Sequence, residues 1–304
     1  MEIHAPYLVF LAEAHDRLAA KTGYALVDWC SERVLGQCRM PGCEADLGVA
    51  ELTPEAAAAQ GAKTFVIGTV SPGGALPQSW MALLERALDA GLDVASGMHR
   101  RLADVPELVT RAKRNGVRLI DLRHHDGPLA VGSGKPRAGK RLLTVGTDCS
   151  IGKKYAALAL AEGLRARAID ADFRATGQTG ILIAGAGIAV DAVVSDFVAG
   201  AAEALSPSAP PDHWDVIEGQ GSLVHPSFAG VTLGLLQGSQ PDAFVLCHEP
   251  TRTRMRNVEA LMRDPGEVID LTVLLGRTTN AAIRCVGVAL NTSGLGAAAA
   301  AAAK

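Results

Sequence analysis

Short apolar runs, each followed by a polar, glycine-bearing turn and then by a helical repeat, recur along this chain. Tyr7–Ala12 (YLVFLA) has the composition of a buried strand, whereas 27–48, with three cysteines and scattered glycines, predicts irregular structure. Thr53 and Pro54 supply a cap and a first helical position for a short helix over 55–60. The period then becomes regular. A strand is predicted over 64–70, a turn over 71–75 and an amphipathic helix over 78–90 that stops at Gly91. A strand from Asp93, a helix over 103–115 and a strand over 117–122 (VRLIDL) complete the series. Strands alternating with helices of this length predict parallel βαβ units.

Residues 123–140 (RHHDGPLAVGSGKPRAGK) interrupt the pattern with glycine, proline and basic side chains, as an interdomain linker or a loop over a site would. The alternation resumes with a strand over 141–145, a helix over 154–165 and a strand near 168–175. A glycine-rich segment (GQTGILIAGAGI), a helix over 191–204 and a loop over 206–212 follow. Strands over 215–218, 243–248 and 284–290, with a helix over 266–275, make a second parallel layer. The expected division is a domain over 1–125, a linker over 126–140 and a second domain over 141–304. The closing alanine tract, 297–303, is compatible with helix and carries no recognition chemistry.

Bulk properties narrow the function. A length of 304 residues suits two domains, and the 48% hydrophobic content is enough for two cores. A formal charge of −3 gives no general attraction to polyanions, so nucleic acid is not an expected partner. No apolar run is long enough for a membrane span, and the N-terminal MEIHAPYLVFLAEAHD lacks the layout of a secretory signal. A soluble cytoplasmic protein is expected. Cys38 and Cys43, with or without Cys30, lack the spacing of a common zinc motif, so buried thiols are the better reading and no metal site is expected.

The chemistry collects at strand ends. LLTV runs into GTDCSIGKK, a GxxxxGK pattern in which Gly146, Thr147, Asp148, Cys149, Ser150, Ile151 and Gly152 form a loop before Lys153. Such a loop turns backbone N–H groups onto a phosphate, with the lysine as a point charge. Lys154 stands where a nucleotide hydrolase places the Ser or Thr that holds Mg²⁺. Four more strands of this half empty into polar segments: RATGQTG, EGQGSLVH, HEPTRTR and NTSG. In parallel sheets ligands bind beyond such carboxyl ends, so one site is expected there.

Glu218 ends the strand DVIE and offers a carboxylate for base catalysis, metal binding or anchoring of backbone N–H groups. Gln178, Gln220, Asn291 and Ser293 are neutral hydrogen-bonding candidates. Arg174 and Arg252 are candidate carboxylate clamps, and His225 and His248 candidate proton carriers. In the first half, His99, Arg100 and Arg101 offer positive charge to a carboxylate substrate across the domain cleft.

Two resemblances rest on these segments. GTDCSIGKK and EGQGSL are similar to the phosphate loop and a strand end of dethiobiotin synthetase, within the second half only. A fuller match runs through AHDRLAAKT, VIGTVSPGGALPQSW, GLDVASGMHRRL, GTDCSIGKK, ATGQTGILIAG, VVSDFVAGAAE, EGQGSLVHPSFAGVTLGLLQGSQPDA, LCHEPTR and VALNTSG. Together these resemble a bacterial family, formerly a domain of unknown function, that includes D-glutamate N-acetyltransferases of the DgcN type. The resemblance implies an α/β chain with an N-terminal Rossmann-like parallel-sheet domain followed by a P-loop NTPase-like parallel-sheet domain. It implies acetyl transfer from acetyl-CoA to the amine of a D-amino acid, D-glutamate first among them. It further implies a homo-oligomer and a racemase-type enzyme acting next on the N-acetylated product. Lys154 departs from the uncharged residue usual in the family.

Under that reading Glu218, Lys153, His225 and Arg252 are the catalytic candidates. The loop 146–154 with Gln178, Gln220, Asn291 and Ser293 would bind the acyl carrier, and Arg100, Arg174 and His248 the amino acid. The competing expectations are an ATP/Mg²⁺-dependent ligase or kinase with Asp148, Asp172 or Glu218 on the metal, and a non-catalytic nucleotide- or metal-sensing protein.

Overall fold

The computed structural model describes residues 2–70, 75–125 and 127–303. The chain packs as two compact units, one formed by the sequence up to residue 126 with Ile181–Ala186, the other by Gly127–Gly180 and Gly187 onward. Each holds a five-stranded, wholly parallel sheet.

In the first unit the strands are β1 (Tyr7–Ala12), β2 (Val34–Arg39), β3 (Thr64–Ile67), β4 (Asp93–Ser96) and β5 (Leu119–Asp121), ordered β2-β1-β3-β4-β5. β1 is buried on both faces, as its unbroken apolar run requires of an interior parallel strand. Leu8 and Phe10 face a core shared with α2 (Pro54–Ala59), α3 (Met81–Asp89) and α4 (Pro106–Asn115). There Phe10 stacks on Phe65 at 5.2 Å and meets Trp80 edge-on at 5.4 Å. Tyr7, Val9 and Leu11 face the other way, where α1 (Lys21–Cys30) packs and Tyr7 donates its hydroxyl to the Leu182 carbonyl.

The second unit contains β6 (Lys140–Gly146), β7 (Ala171–Arg174), β8 (Trp214–Ile217), β9 (Ala243–His248) and β10 (Arg284–Leu290), ordered β10-β9-β6-β8-β7. β6 is therefore central, and its alternation divides two cores. Leu143 and Val145 join Leu235, Leu236 and Val268 from α8 (Ala229–Ser239) and α9 (Pro265–Gly276). Leu142 faces Ala157 and Ala161 of α5 (Lys153–Arg165). A further cluster joins Val198 and Ala201 of α7 (Val198–Leu205) to Leu129 and Val231.

Several expectations are corrected. The stretch expected to be irregular, 27–48, contains the end of α1 and the strand β2, because Val34, Gly36, Gln37 and Cys38 pair beside β1. The glycine-rich segment, to which the sequence assigns no element, contains a helix, α6 (Gln178–Ala184). The helix expected over 191–204 is confined to α7; residues 190–197 form two 3-10 turns, each broken by extended backbone at Val193 or Val194. Of the linker stretch, residues 127–140 pack on the second unit: the Ser133 and Gly134 N–H groups donate to Glu203, and Arg137 to the Ser206 and Gly238 carbonyls. The turn expected over 71–75 lies, apart from Ala75, outside the described residues. Thr53 caps α2 from its side chain, and the alanine tract is helical over Ala297–Ala302. No described helix is long and apolar enough to cross a membrane.

Candidate active site

β6 delivers its loop to the N-terminus of α5 at the centre of the second sheet. Two residues give the loop its curvature: Ser150 at φ +53° and Gly152 at φ +107°. Gly152 occupies a conformation that a side chain would strain, and it leads into α5 without any side-chain cap. The first N–H groups of α5 are thus left to a ligand, and with the helix dipole they favour an anion.

Lys153 is buried, and its Nζ folds back to donate to the Asp148 carbonyl at 2.7 Å. Burial holds its ammonium below the ordinary lysine range, while nearby Cys149, Cys247, Asp148 and Glu218 work in the opposite direction. An arriving phosphate oxygen would restore the counter-charge that burial has removed.

Asp148 is the structural hub of the loop. Its fully buried carboxylate accepts from Arg252 Nη1 (2.7 Å), the Arg256 N–H (2.9 Å) and its neighbour Cys149 N–H (2.6 Å). Arg252 also donates to the Cys149 carbonyl at 2.8 Å and to Glu249 at 2.6 Å, so it clasps the loop to the segment following β9. His225 stands behind this clasp, fully buried. Its Nδ1 accepts the Ser227 N–H at 3.1 Å, and Nε2 lies 3.0 Å from the Arg256 carbonyl. With Nδ1 accepting, Nε2 carries the proton and is committed to that carbonyl. Arg252, through both terminal nitrogens, and His225, through both ring nitrogens, brace the loop.

Asp148, Cys149 and His225 bring one donor atom each within 4.8 Å, the one such group among the described residues. The Asp148 carboxylate and His225 Nδ1 already accept the hydrogen bonds just described, and burial pushes the Cys149 thiol up, away from the thiolate a soft metal prefers. Asp172, offered as an alternative metal ligand, pairs at 3.2 Å with Arg174 on β7.

Glu218 follows β8 and is 4% exposed. Its Oε2 accepts the N–H groups of Thr176 at 3.0 Å and Gly177 at 3.1 Å, while Thr176 Oγ1 donates to the Glu218 carbonyl at 2.6 Å. Burial pushes the carboxyl up to about 7, against the two amide hydrogen bonds and the charge of Lys154. One oxygen is thus fixed by backbone and the group titrates where a general base is most effective. α6 fits over it at Gly180, where a Cβ would lie 2.3 Å from Oε2. Gln220 donates to Thr176 Oγ1 at 3.2 Å, and the buried Gln178 Oε1 has no hydrogen-bond partner. The Gly219 N–H donates to Thr144 Oγ1 at 2.9 Å.

On the other side of β6, His248 ends β9 with Nδ1 3.0 Å from Thr147 Oγ1, and burial lowers its pKa. Asn291 bonds through its N–H to the His248 carbonyl at 2.8 Å and through Oδ1 to Ser293. The second sheet therefore brings together the loop 146–154, Glu218, Gln178, Gln220, His248, Asn291 and Ser293. Arg174 turns away along the sheet, its Nε 2.5 Å from the buried Asp215. Arg100 is exposed in the first unit after β4. The sequence reading missed the Thr176 and Gly177 amides that hold Glu218, and the Thr144 hydroxyl. RATGQTG marks a polar strand end but does not tell which carboxylate its backbone holds.

The comparisons agree with this layout. Residues 130–304 match the domain of unknown function DUF1611, C-terminal P-loop domain, and residues 38–125 its N-terminal Rossmann-like domain. A D-glutamate N-acetyltransferase of Pseudoalteromonas sp. is 46% identical over 96% of this chain and 89% of its own length. One from Tritonibacter scottomollicae is 48% identical over 97% of this chain and 89% of its own. The crystal structure of a DUF1611 family protein from Anabaena variabilis superposes with a TM-score of 0.83 at 32% identity, covering 98% of this chain and 91% of that one.

Proposed function

The chain belongs to the DUF1611 family, and on that footing we propose that it transfers an acetyl group from acetyl-CoA to the amine of D-glutamate. The observation that carries this reading is the 46–48% identity, over nearly the whole chain, to two proteins named D-glutamate N-acetyltransferase. The site's chemistry supports it. A glycine-bounded loop, an uncapped helix start and a buried lysine suit the phosphates of coenzyme A. Lys154, in place of a magnesium-holding hydroxyl, adds charge without requiring a metal.

In the proposed step Glu218 takes a proton from the D-glutamate ammonium. The freed amine attacks the thioester carbonyl and a C–N bond forms; as the C–S bond breaks, the nitrogen gives up its second proton to the departing thiolate, which leaves as the thiol of coenzyme A. Oε2, held by the Thr176 and Gly177 amides, fixes the carboxylate, and Oε1 receives the proton. His248, on the opposite flank of the loop, orients the amino acid. We further propose a homo-oligomeric cytoplasmic enzyme whose N-acetylated product passes to a racemase-type enzyme.

A thermal-shift series tests the ligand class. Acetyl-CoA and coenzyme A are expected to raise the melting temperature without added metal, since ligands that bind only the native state stabilise it. Stabilisation by ATP with Mg²⁺, and by neither coenzyme A species, would overturn the reading in favour of a ligase or kinase.

A further inference from the structure

The segment between β9 and α9 carries four arginines, at 252, 254, 256 and 263, and three of them have acidic partners. Arg252 bonds to Asp148 and Glu249, Arg254 Nη1 lies 3.3 Å from Glu259, and Arg263 Nη1 lies 3.9 Å from Glu267. Arg256 differs. Its side chain is exposed and makes no hydrogen bond or ion pair among the described residues.

Its backbone, by contrast, is held against the phosphate loop at both polar groups. The Arg256 N–H donates to Asp148 Oδ2 at 2.9 Å, and its carbonyl accepts from His225 Nε2 at 3.0 Å. The residues around it form a small hairpin in which Arg254 bridges antiparallel to Leu261. The Met255 N–H donates to the Ala260 carbonyl at 2.8 Å, and the Met262 N–H to the Thr253 carbonyl at 3.0 Å. Met255 is buried, and Asn257, within the turn, takes the left-handed conformation at φ +62°. The guanidinium therefore projects from a fixed point beside the loop. Its charge is felt there: burial pushes the Cys149 thiol up, and Lys153, Arg256 and Arg252 are the cations that oppose it. Of these three, Lys153 donates to the Asp148 carbonyl and Arg252 is bonded to Asp148 and Glu249. Arg256 alone among the three has its whole fork open.

We propose that Arg256 is a further binding residue of the phosphate loop and pairs with a phosphate of the acyl donor. Naming the donor rests on the acetyl-transfer reading; the contact itself rests on where Arg256 stands. Coenzyme A brings a pyrophosphate and a 3′-phosphate, more negative charge than one buried lysine can meet. A planar guanidinium offers a phosphate two parallel N–H groups, and here no protein contact has to be given up to do so. A carboxylate of the acceptor shares this chemistry, so the two sources are separated experimentally.

The variant is Arg256→Met, which keeps both backbone hydrogen bonds and removes the fork. In calorimetry on the full chain its affinity for coenzyme A is expected to fall about tenfold. Its affinity for D-glutamate and its melting temperature are expected to stay as in the unaltered chain. In steady-state kinetics the Km for acetyl-CoA is expected to rise with kcat retained. Arg256→Lys, which keeps the charge without the fork, is expected to recover part of the lost affinity. Unchanged affinity for coenzyme A would overturn the contact, and weakened D-glutamate binding in its place would assign the guanidinium to the acceptor. Loss of affinity for both ligands, with a lowered melting temperature in both variants, would overturn it in favour of a structural role. Coenzyme A binding that weakens in Arg256→Met, without acetyl transfer by the unaltered chain, would uphold the contact and refute the reaction instead. If the unaltered chain binds ATP and no coenzyme A, the acetyl-transfer reading fails, and the phosphate contact stands only where Arg256→Met weakens ATP binding.

Discussion

Two side chains, Lys153 and Glu218, are buried where their charged forms are least comfortable, and each makes a separate expectation. Lys153→Met removes a charge-assisted contact of about 1.5–3 kcal/mol, so affinity for coenzyme A should fall roughly 10- to 100-fold in calorimetry. The melting temperature of the ligand-free variant should hold or rise, because an uncomfortable buried ammonium has been removed. Glu218→Gln should lower turnover by about 10²–10⁴. The unaltered enzyme should lose activity as the pH falls through about 7, where Glu218 takes up its proton.

The same group acts on stability in a known direction. A carboxyl whose folded value is raised binds its proton more tightly in the native state, so its contribution to stability falls as pH rises from about 4.5 to about 7. Above that window the full cost is present. Melting curves of Glu218→Gln should therefore exceed those of the unaltered chain at pH 8 and converge with them near pH 4.5. An identical difference at both pH values would contradict this account.

At the scale of elements, the sequence is legible wherever a short-range pattern decides the structure. β1, β9 and β10 fall on the apolar runs that predict them, and α2 starts at its Thr-Pro signal. β2 was hidden because Gly36 and Gln37 dilute its apolar signal; pairing with β1 decides it. α6 was hidden because its glycines argue for a loop, yet Gly180 is there to let the helix approach Glu218. Gly180→Ala should displace that carboxylate, since the new methyl would sit 2.3 Å from Oε2. Activity should drop at least 100-fold, with coenzyme A affinity retained, as measured by steady-state kinetics beside calorimetry. Lost affinity with retained turnover would contradict the role given to α6.

At the scale of the whole molecule, two parallel sheets in succession follow from the alternation of strand and helix. The phosphate loop on the central strand β6 was equally legible, because GxxxxGK requires a strand before it and a helix after it. What the sequence could not sort was which polar residues face a ligand and which hold the loop. Arg252 and His225 look like catalytic residues in one dimension; in three, they bond to Asp148, Glu249 and backbone. Glu218 differs because its spent oxygen is held by N–H groups, which leaves the other oxygen for chemistry. Residues 181–186 likewise join the first unit by long-range contacts that no local pattern records.

The central claim is acetyl transfer to D-glutamate, and the most direct measurement incubates the purified chain with acetyl-CoA and either glutamate enantiomer. Thiol release and product mass are read together, with and without a metal chelator. The account predicts N-acetyl-D-glutamate formed in step with coenzyme A, unaffected by chelation, with L-glutamate a far poorer acceptor and Glu218→Gln slower by about 10²–10⁴. Absence of that product, with coenzyme A release no faster than hydrolysis, would contradict it.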